Sequence, residues 1–300
     1  MVLNEGMTYH DASNPIMSPT PSPTLSLSDG SEIPQIGLGT WQMHGEEAYR
    51  TVREAIGMGY RHIDTAKLYD NEVEVGRAVT DAIRSGEVTR DELFITSKVW
   101  NDDQGREQAA RAFQASLARL GLDYLDLYLV HWPCPRKGLY NETFEAVARI
   151  QGLGQVQSIG VANFYAGVLE DLVVTTGIVP AVNQVELHPG FSQAPLRALH
   201  DRLGVVTTAW APLARGGVLS HPVIKGIAGR YGVPASAVVL RWLVQLGVVA
   251  IPKSSDPGRL RSNLDVHGFQ LSVEEVERIT ALDEGPGMGR LFHDPEEFPA

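Results

Sequence analysis

The stretch Gly59-Tyr60-Arg61-His62-Ile63-Asp64-Thr65-Ala66-Lys67-Leu68-Tyr69-Asp70-Asn71-Glu72 decides how this chain is read. Tyr60 to Ile63 is predicted as a short strand that runs out into a loop carrying a carboxylate at Asp64 and a phenol at Tyr69. Alone, such a pair is more often surface decoration than chemistry. Two later stretches repeat the pattern. Leu93-Phe94-Ile95-Thr96-Ser97-Lys98 is an apolar strand ending on a lysine, and Leu125-Asp126-Leu127-Tyr128-Leu129-Val130-His131 is another ending on a histidine. Three successive strands that each end in an ionisable group are the pattern of a barrel active site, because the loops at one rim of such a barrel carry the chemistry.

Outward from this centre, strands alternate with amphipathic helices. Glu46 to Ile56 places Ala48, Val52, Ala55 and Ile56 on one helical face and stops at Gly57 and Gly59. Gln104 to Leu120 aligns Ala110, Phe113, Leu117 and Leu120, with Gly121 as its stop. Further strands are predicted at Ile36 to Gly39, Gln157 to Val161, Ala181 to Val185, Val205 to Ala209 and Val248 to Ile251. Eight strand-helix units at spacings of roughly 25 to 40 residues predict an α/β fold, a closed (β/α)8 TIM barrel. An open dinucleotide-binding sheet fits poorly, because Gly37-Leu38-Gly39-Thr40-Trp41 lacks the third glycine and the downstream acid. Thr24 to Ile33 alternates around Asp29-Gly30, a hairpin signal, and is predicted to close the bottom of the barrel. Residues 1–23, polar with Pro15, Pro19, Pro21 and Pro23 among Ser and Thr, read as a flexible tail, which leaves 24–300 as a single barrel domain.

Composition narrows the function classes. A chain of 300 residues that is 43% hydrophobic and 20% charged suits a globular protein with a large core. A formal net charge of −11 without a basic patch argues against nucleic acid. The single cysteine, Cys134, excludes an internal disulfide and suggests a reducing compartment. No lysine or arginine precedes Arg50, so the start does not read as a secretory signal, and no run reaches the ~18 apolar residues of a membrane helix. The expectation is a soluble, cytoplasmic protein.

The ionisable strand ends make a coherent proton donor. A tyrosine hydroxyl has a pKa of about 10, and a neighbouring ammonium lowers it by stabilising the phenolate. A buried lysine needs a counter-charge. Asp64 therefore holds Lys98, Lys98 tunes Tyr69, and Tyr69 donates, with His131 opposite to orient a carbonyl oxygen. No nucleophile elbow and no zinc-spaced ligand cluster occurs, so no metal is expected. Hydride chemistry would complete the site and needs a cofactor, because no side chain carries hydride. Ile251-Pro252-Lys253-Ser254-Ser255, continuing to Arg259 and Asn263, offers cations and hydroxyls where a helix begins, a setting that binds phosphate; a solvated helix start is the plain alternative.

These residues together carry a resemblance. From about Leu25 to Phe298 the chain resembles the aldo-keto reductase family of NADPH-dependent barrels. Gly59 to Ala66 matches the family's GYRHIDTA run, Tyr69 to Glu72 its Tyr-x-Asn-Glu run, and Thr96-Ser97-Lys98 and Val130-His131-Trp132-Pro133 its remaining catalytic segments. The tetrad Asp64, Tyr69, Lys98 and His131 carries over, with Tyr69 as general acid. The short loop after His131 and the tail Asp294-Pro295-Glu296-Glu297-Phe298 resemble the bacterial branch that includes 2,5-diketogluconate reductases. The resemblance implies that Asn163 and Gln184 bind the nicotinamide carboxamide, with Ala162 standing where the family has a serine. It implies that Trp210, in a run reaching Leu213, stacks on the nicotinamide ring. Lys253, Ser254 and Arg259 match positions that hold the 2′-phosphate, and Asn263 an adenine contact, with Ser262 where an acid is often found. Trp41 and Trp132 match substrate-pocket aromatics. Cys134 sits on the same rim.

The function so implied is reduction of aldehydes or ketones by NADPH, hydride passing from nicotinamide C4 to the carbonyl carbon while Tyr69 protonates the oxygen, in a protein expected to be a monomer. Two rivals stand beside it. One is a cofactor-occupied sensor or regulatory subunit with slow turnover, against which the intact tetrad argues. The other is an NAD-dependent alcohol dehydrogenase, against which Lys253 and Arg259 argue.

Overall fold

Strands and helices alternate through the computed structural model, which describes residues 22–283 and 289–298. The first two strands, β1 (Thr24–Ser26) and β2 (Glu32–Pro34), pair antiparallel with Leu25 opposite Ile33. Leu27 and Ile33 are buried against Phe94, Leu127, Val182 and Val249, residues near the starts of the barrel strands. The hairpin thus plugs the bottom of the barrel, as its alternation predicts. Of the tail expected over 1–23, residues 1–21 lie outside the described residues. Ser22 and Pro23 belong to the folded body: the buried Ser22 accepts the Ile36 N–H at 3.3 Å, and the Pro23 carbonyl accepts that of Gln35 at 2.8 Å.

Eight parallel strands follow: β3 (Gly37–Gly39), β4 (His62–Asp64), β5 (Phe94–Val99), β6 (Leu125–Val130), β7 (Val156–Ala162), β8 (Val182–Glu186), β9 (Val206–Trp210) and β10 (Val249–Ala250). Each pairs with the next in chain order, and a bridge from Ile36 to Ala250 closes the ring. Parallel strands need crossovers, and ten helices among the described residues supply and extend them. They are α1 (Gly45–Met58), α2 (Glu72–Arg84), α3 (Arg106–Leu120), α4 (Tyr140–Gly152), α5 (Ala166–Thr176), α6 (Ala194–Leu203), α7 (Pro222–Tyr231), α8 (Ala235–Gln245), α9 (Pro257–Leu264) and α10 (Val273–Thr280). Tyr60, predicted to open a strand, instead lies just before β4, buried, with its hydroxyl donating to the Leu260 carbonyl at 2.9 Å and so tying this corner to α9. No single helix among the described residues is long and apolar enough to cross a membrane.

The two rims differ in backbone chemistry. All eight described non-glycine residues with positive φ (Gln42, Asp70, Cys134, Asn163, Gln193, Ala211, Ala214 and Arg215) sit in loops that follow the carboxyl ends of barrel strands. Left-handed backbone costs energy for residues with a Cβ and collects where function constrains the chain. At the opposite rim, where helices return to strands, Gly121 and Gly177 take that conformation without a Cβ to object.

Helix packing includes one backbone-to-backbone approach. Gly76 of α2 faces the carboxyl end of α3 so closely that a Cβ there would overlap the Leu120 carbonyl. Backbone cannot swing away as a side chain can, so Gly76→Ala should cost about 2–3 kcal/mol through forced separation of the helices. A drop in urea midpoint at unchanged slope checks this; an unchanged midpoint would mean that the two helices slide freely.

Candidate active site

Strand alternation turns Lys98 of β5 into the barrel and its neighbour Ser97 outward. Ser97 donates to Glu72 at 2.5 Å, whose other oxygen receives Arg119 Nε at 2.7 Å, so the motif glutamate braces β5 from outside. Asn71 clamps the loops after β3 and β4: its amide donates to the carbonyls of Thr40 and Met43, each at 2.9 Å, and accepts from the Thr65 hydroxyl at 2.7 Å. These contacts fix the loop that carries Tyr69.

Lys98 is wholly buried, and each of its three ammonium protons has a partner: Asp64 Oδ1 at 2.6 Å, the Thr65 carbonyl at 2.9 Å and Tyr69 Oη at 3.2 Å. The second oxygen of Asp64 accepts from Gln184 Nε2 at 2.8 Å. An ammonium group has no lone pair, so Tyr69 Oη must be the acceptor in its contact with Lys98. The phenolic proton is thereby left to point elsewhere, and Tyr69 lines the cavity.

Burial pushes the Tyr69 hydroxyl up, and the Lys98 ammonium beside it offsets this only in part. The sequence-level expectation that Lys98 holds Tyr69 below its ordinary value is therefore corrected: desolvation outweighs the cation, and Tyr69 stays protonated at neutral pH. Burial alone would lower Lys98, but the Asp64 carboxylate and Tyr69 outweigh it and its net shift is upward. His131, just after β6, lies edge-on to Tyr69 with ring centroids 5.8 Å apart. Burial, reinforced by the Lys98 charge, holds it well below its ordinary value, so the ring is neutral. Its Nδ1 is sealed in without a partner, which leaves Nε2 as the nitrogen available to a ligand.

Asp64, Tyr69 and His131 open into a cavity of about 700 Å³ at the carboxyl ends of the strands. Every residue expected at the site lines it except Lys98, which sits behind Tyr69 and Asp64. Trp210 ends β9, and Leu213 follows in the same loop. Lys253, Ser254, Arg259 and Asn263 gather beyond β10 and along α9, Lys253 and Arg259 exposed and Ser254 and Asn263 buried. Arg215, not singled out from sequence, joins the two cations. Among the described residues the only acid lining the cavity is Asp64, already spent on Lys98, so a chain of net charge −11 presents cations here. Asn163 is engaged at both ends of its amide, donating to the His131 carbonyl and accepting from Trp210 Nε1, both at 2.9 Å. It braces two walls of the site, as Gln184 braces Asp64. Ala162 ends β7 behind it, buried.

Around Tyr69 and His131 the walls are aromatic. Trp41 stands edge-on to Tyr69 at 5.0 Å, Trp100 edge-on to His131 at 5.1 Å, and Trp132 stacks on Phe298 at 4.1 Å. Trp100 and the tail residues Phe292 and Phe298 went unnoticed in the sequence as site residues. For Trp100 a signal existed, an aromatic one step past the strand that carries Lys98. For the two phenylalanines none did, since only tertiary folding returns them to the rim.

Residues 35–284 match the sequence profile of the Aldo/keto reductase family. The chain is 48% identical over 277 residues to an aldo-keto reductase of Mycolicibacterium smegmatis, covering 92% of this chain and 98% of that protein. It is 47% identical over 264 residues to the 2,5-diketo-D-gluconic acid reductase B of a Corynebacterium species, covering 88% and 94%. Among solved structures, that of a Gox0644 variant in complex with NADPH superposes with a TM-score of 0.88 at 41% identity, covering 94% of this chain and all of that one.

The buried pair is tested by removing its counter-charge. Asp64→Asn leaves the Lys98 ammonium uncompensated and should cost about 3–5 kcal/mol, whereas adding Lys98→Met should recover part of it. Denaturant unfolding of both variants decides; a cost below about 1 kcal/mol for Asp64→Asn would show that water reaches Lys98.

Proposed function

Because the chain belongs to the aldo/keto reductase family, we propose that it reduces aldehydes and ketones to alcohols with NADPH, Tyr69 supplying the proton. The observation that carries this reading is the arrangement of Lys98, which spends all its donors on Asp64, Thr65 and Tyr69 and leaves the phenolic proton directed away from it. The chemistry of the lining fits the cofactor. Lys253, Arg259 and Ser254 suit the 2′-phosphate and Asn263 the adenine, in the loop after β10 and along α9, while Trp210 and Leu213 suit the nicotinamide half. Asn163 and Gln184 act first as braces there, and a carboxamide contact would be added to those duties. Bound NADPH supplies the hydride.

The protein's own residues do the rest. Neutral His131 Nε2 donates a hydrogen bond to the carbonyl oxygen and aims its carbon. Tyr69 transfers its proton to that oxygen as negative charge develops. Lys98, held charged by Asp64, stabilises the phenolate left behind until a proton returns. No such stabilisation would be needed in a sensor that binds cofactor and turns over slowly, so the intact network supports an enzyme.

Tyr69→Phe should bind NADPH as the wild type does and lose about 10²–10⁴-fold in turnover. Near-wild-type turnover would remove Tyr69 from the acid's role. With Tyr69 raised and His131 depressed, neither titrates in the neutral range, and kcat/KM for reduction should be flat from about pH 6 to about pH 9. A limb with a midpoint near neutrality would point to a different acid.

The wall nearest Tyr69 and His131, formed by Trp41, Leu68, Trp100, Trp132 and Phe298, carries no cation. It supports apolar aldehydes and ketones as substrates. Aryl and alkyl aldehydes should exceed carboxylate-bearing diketo sugars in kcat/KM by about tenfold or more; the opposite ranking sinks this choice of substrate while leaving the chemistry intact.

A further inference from the structure

Glu186 ends β8 with its side chain on the same face as Gln184, two residues before it. Its carboxylate is buried and meets no lysine or arginine among the described residues. One oxygen, Oε1, accepts the Leu291 N–H at 2.7 Å and lies 3.1 Å from His188 Nε2. A buried carboxylate needs hydrogen-bond donors, and the Leu291 N–H arrives from the C-terminal segment rather than from the barrel.

The neighbours of Leu291 show what that hydrogen bond holds in place. Gly289 packs so tightly on the Gly190 carbonyl that a Cβ would overlap it, and its φ of +81° suits glycine. Arg290 pairs with Asp294 at 2.5 Å. Phe292 stands edge-on to Trp210 at 4.8 Å, with the Arg215 guanidinium 4.4 Å from its ring centre, and Phe298 stacks on Trp132. Two aromatic walls of the cavity thus depend on the register of one short segment.

We infer that Glu186 is a latch: through the Leu291 N–H it holds the C-terminal segment in the register that places Phe292 and Phe298 over the cavity, and so positions the wall against which the substrate rests. Glu186 is a positioning residue in this account. The effect on substrate rests on the reductase reading above; the latch itself does not.

Trypsin reports on the latch directly, because the bond it would cut, Arg290–Leu291, contains the N–H that Glu186 holds. In the full-length protein, Glu186→Ala from the barrel side and Gly289→Ala from the tail side should each speed cleavage after Arg290 by about tenfold, the worth of one lost hydrogen bond to a charged group. Glu186→Gln keeps a carbonyl acceptor and should restore most of the resistance. Steady-state kinetics with an aryl aldehyde should show KM raised by a similar factor at nearly unchanged kcat, a split that loss of folded protein does not produce. Cleavage after Arg290 at the wild-type rate in folded Glu186→Ala overturns the latch, and should that variant not fold, the wild-type rate in Gly289→Ala does so. If both variants are cleaved faster while the wild type reduces no carbonyl compound, the latch stands and the reductase reading fails.

Discussion

The Lys98 ammonium group has no water to fall back on. Burying an isolated cation costs several kcal/mol even after relaxation, and the fold offsets that cost by presenting three acceptors from one stretch of chain. Asp64, Thr65 and Tyr69 all lie within six residues, at the end of β4 and in the loop beyond it. The strand on which Lys98 sits must therefore pair beside β4 in the register observed, Asp64 opposite Thr96. Around this constraint other contacts make sense: Gln184 occupies the second Asp64 oxygen, Asn71 pins the loop, and Glu72 braces β5 from the outer side. Donor-acceptor accounting alone leaves the Tyr69 phenolic proton directed away from Lys98, since Lys98 can only donate to Tyr69.

Charge and aromatic surface share the cavity. Lys253 and Arg259 line it from the loop after β10 and from α9, Arg215 lies against Phe292, and aromatic rings line it around Tyr69 and His131. The aromatic surface is completed by the tail, which brings Phe292 and Phe298 back to a rim that the eight strands had already formed. Left-handed non-glycine backbone gathers on that same rim, where tight loops aim the polar groups inward. The opposite rim, closed by the hairpin, carries none among the described residues.

Much of this could be read before folding was considered. The barrel was visible because strand and helix periods are local properties, and eight repeats of the pair leave few topologies. The tetrad was visible because each member sits at or just beyond a strand end within a distinctive run. Trp100 was overlooked although it stands one residue past β5, and Tyr60 was assigned to a strand it only precedes. Lys253 and Arg259 were legible as cations at a helix start.

What the sequence by itself determined is the order of the strands, the rim on which the ionisable groups emerge and the identity of the groups, all of which depend on spacing along the chain. Tertiary structure alone decided the direction in which Tyr69 is shifted, because burial and the Lys98 charge oppose each other and only the packed site sets their balance. It also decided that Asn163 and Gln184 brace their neighbours and that Glu186 receives Leu291 from 105 residues away. Such contacts join residues far apart in sequence through the register of strands and the path of the tail, and no local periodicity encodes either.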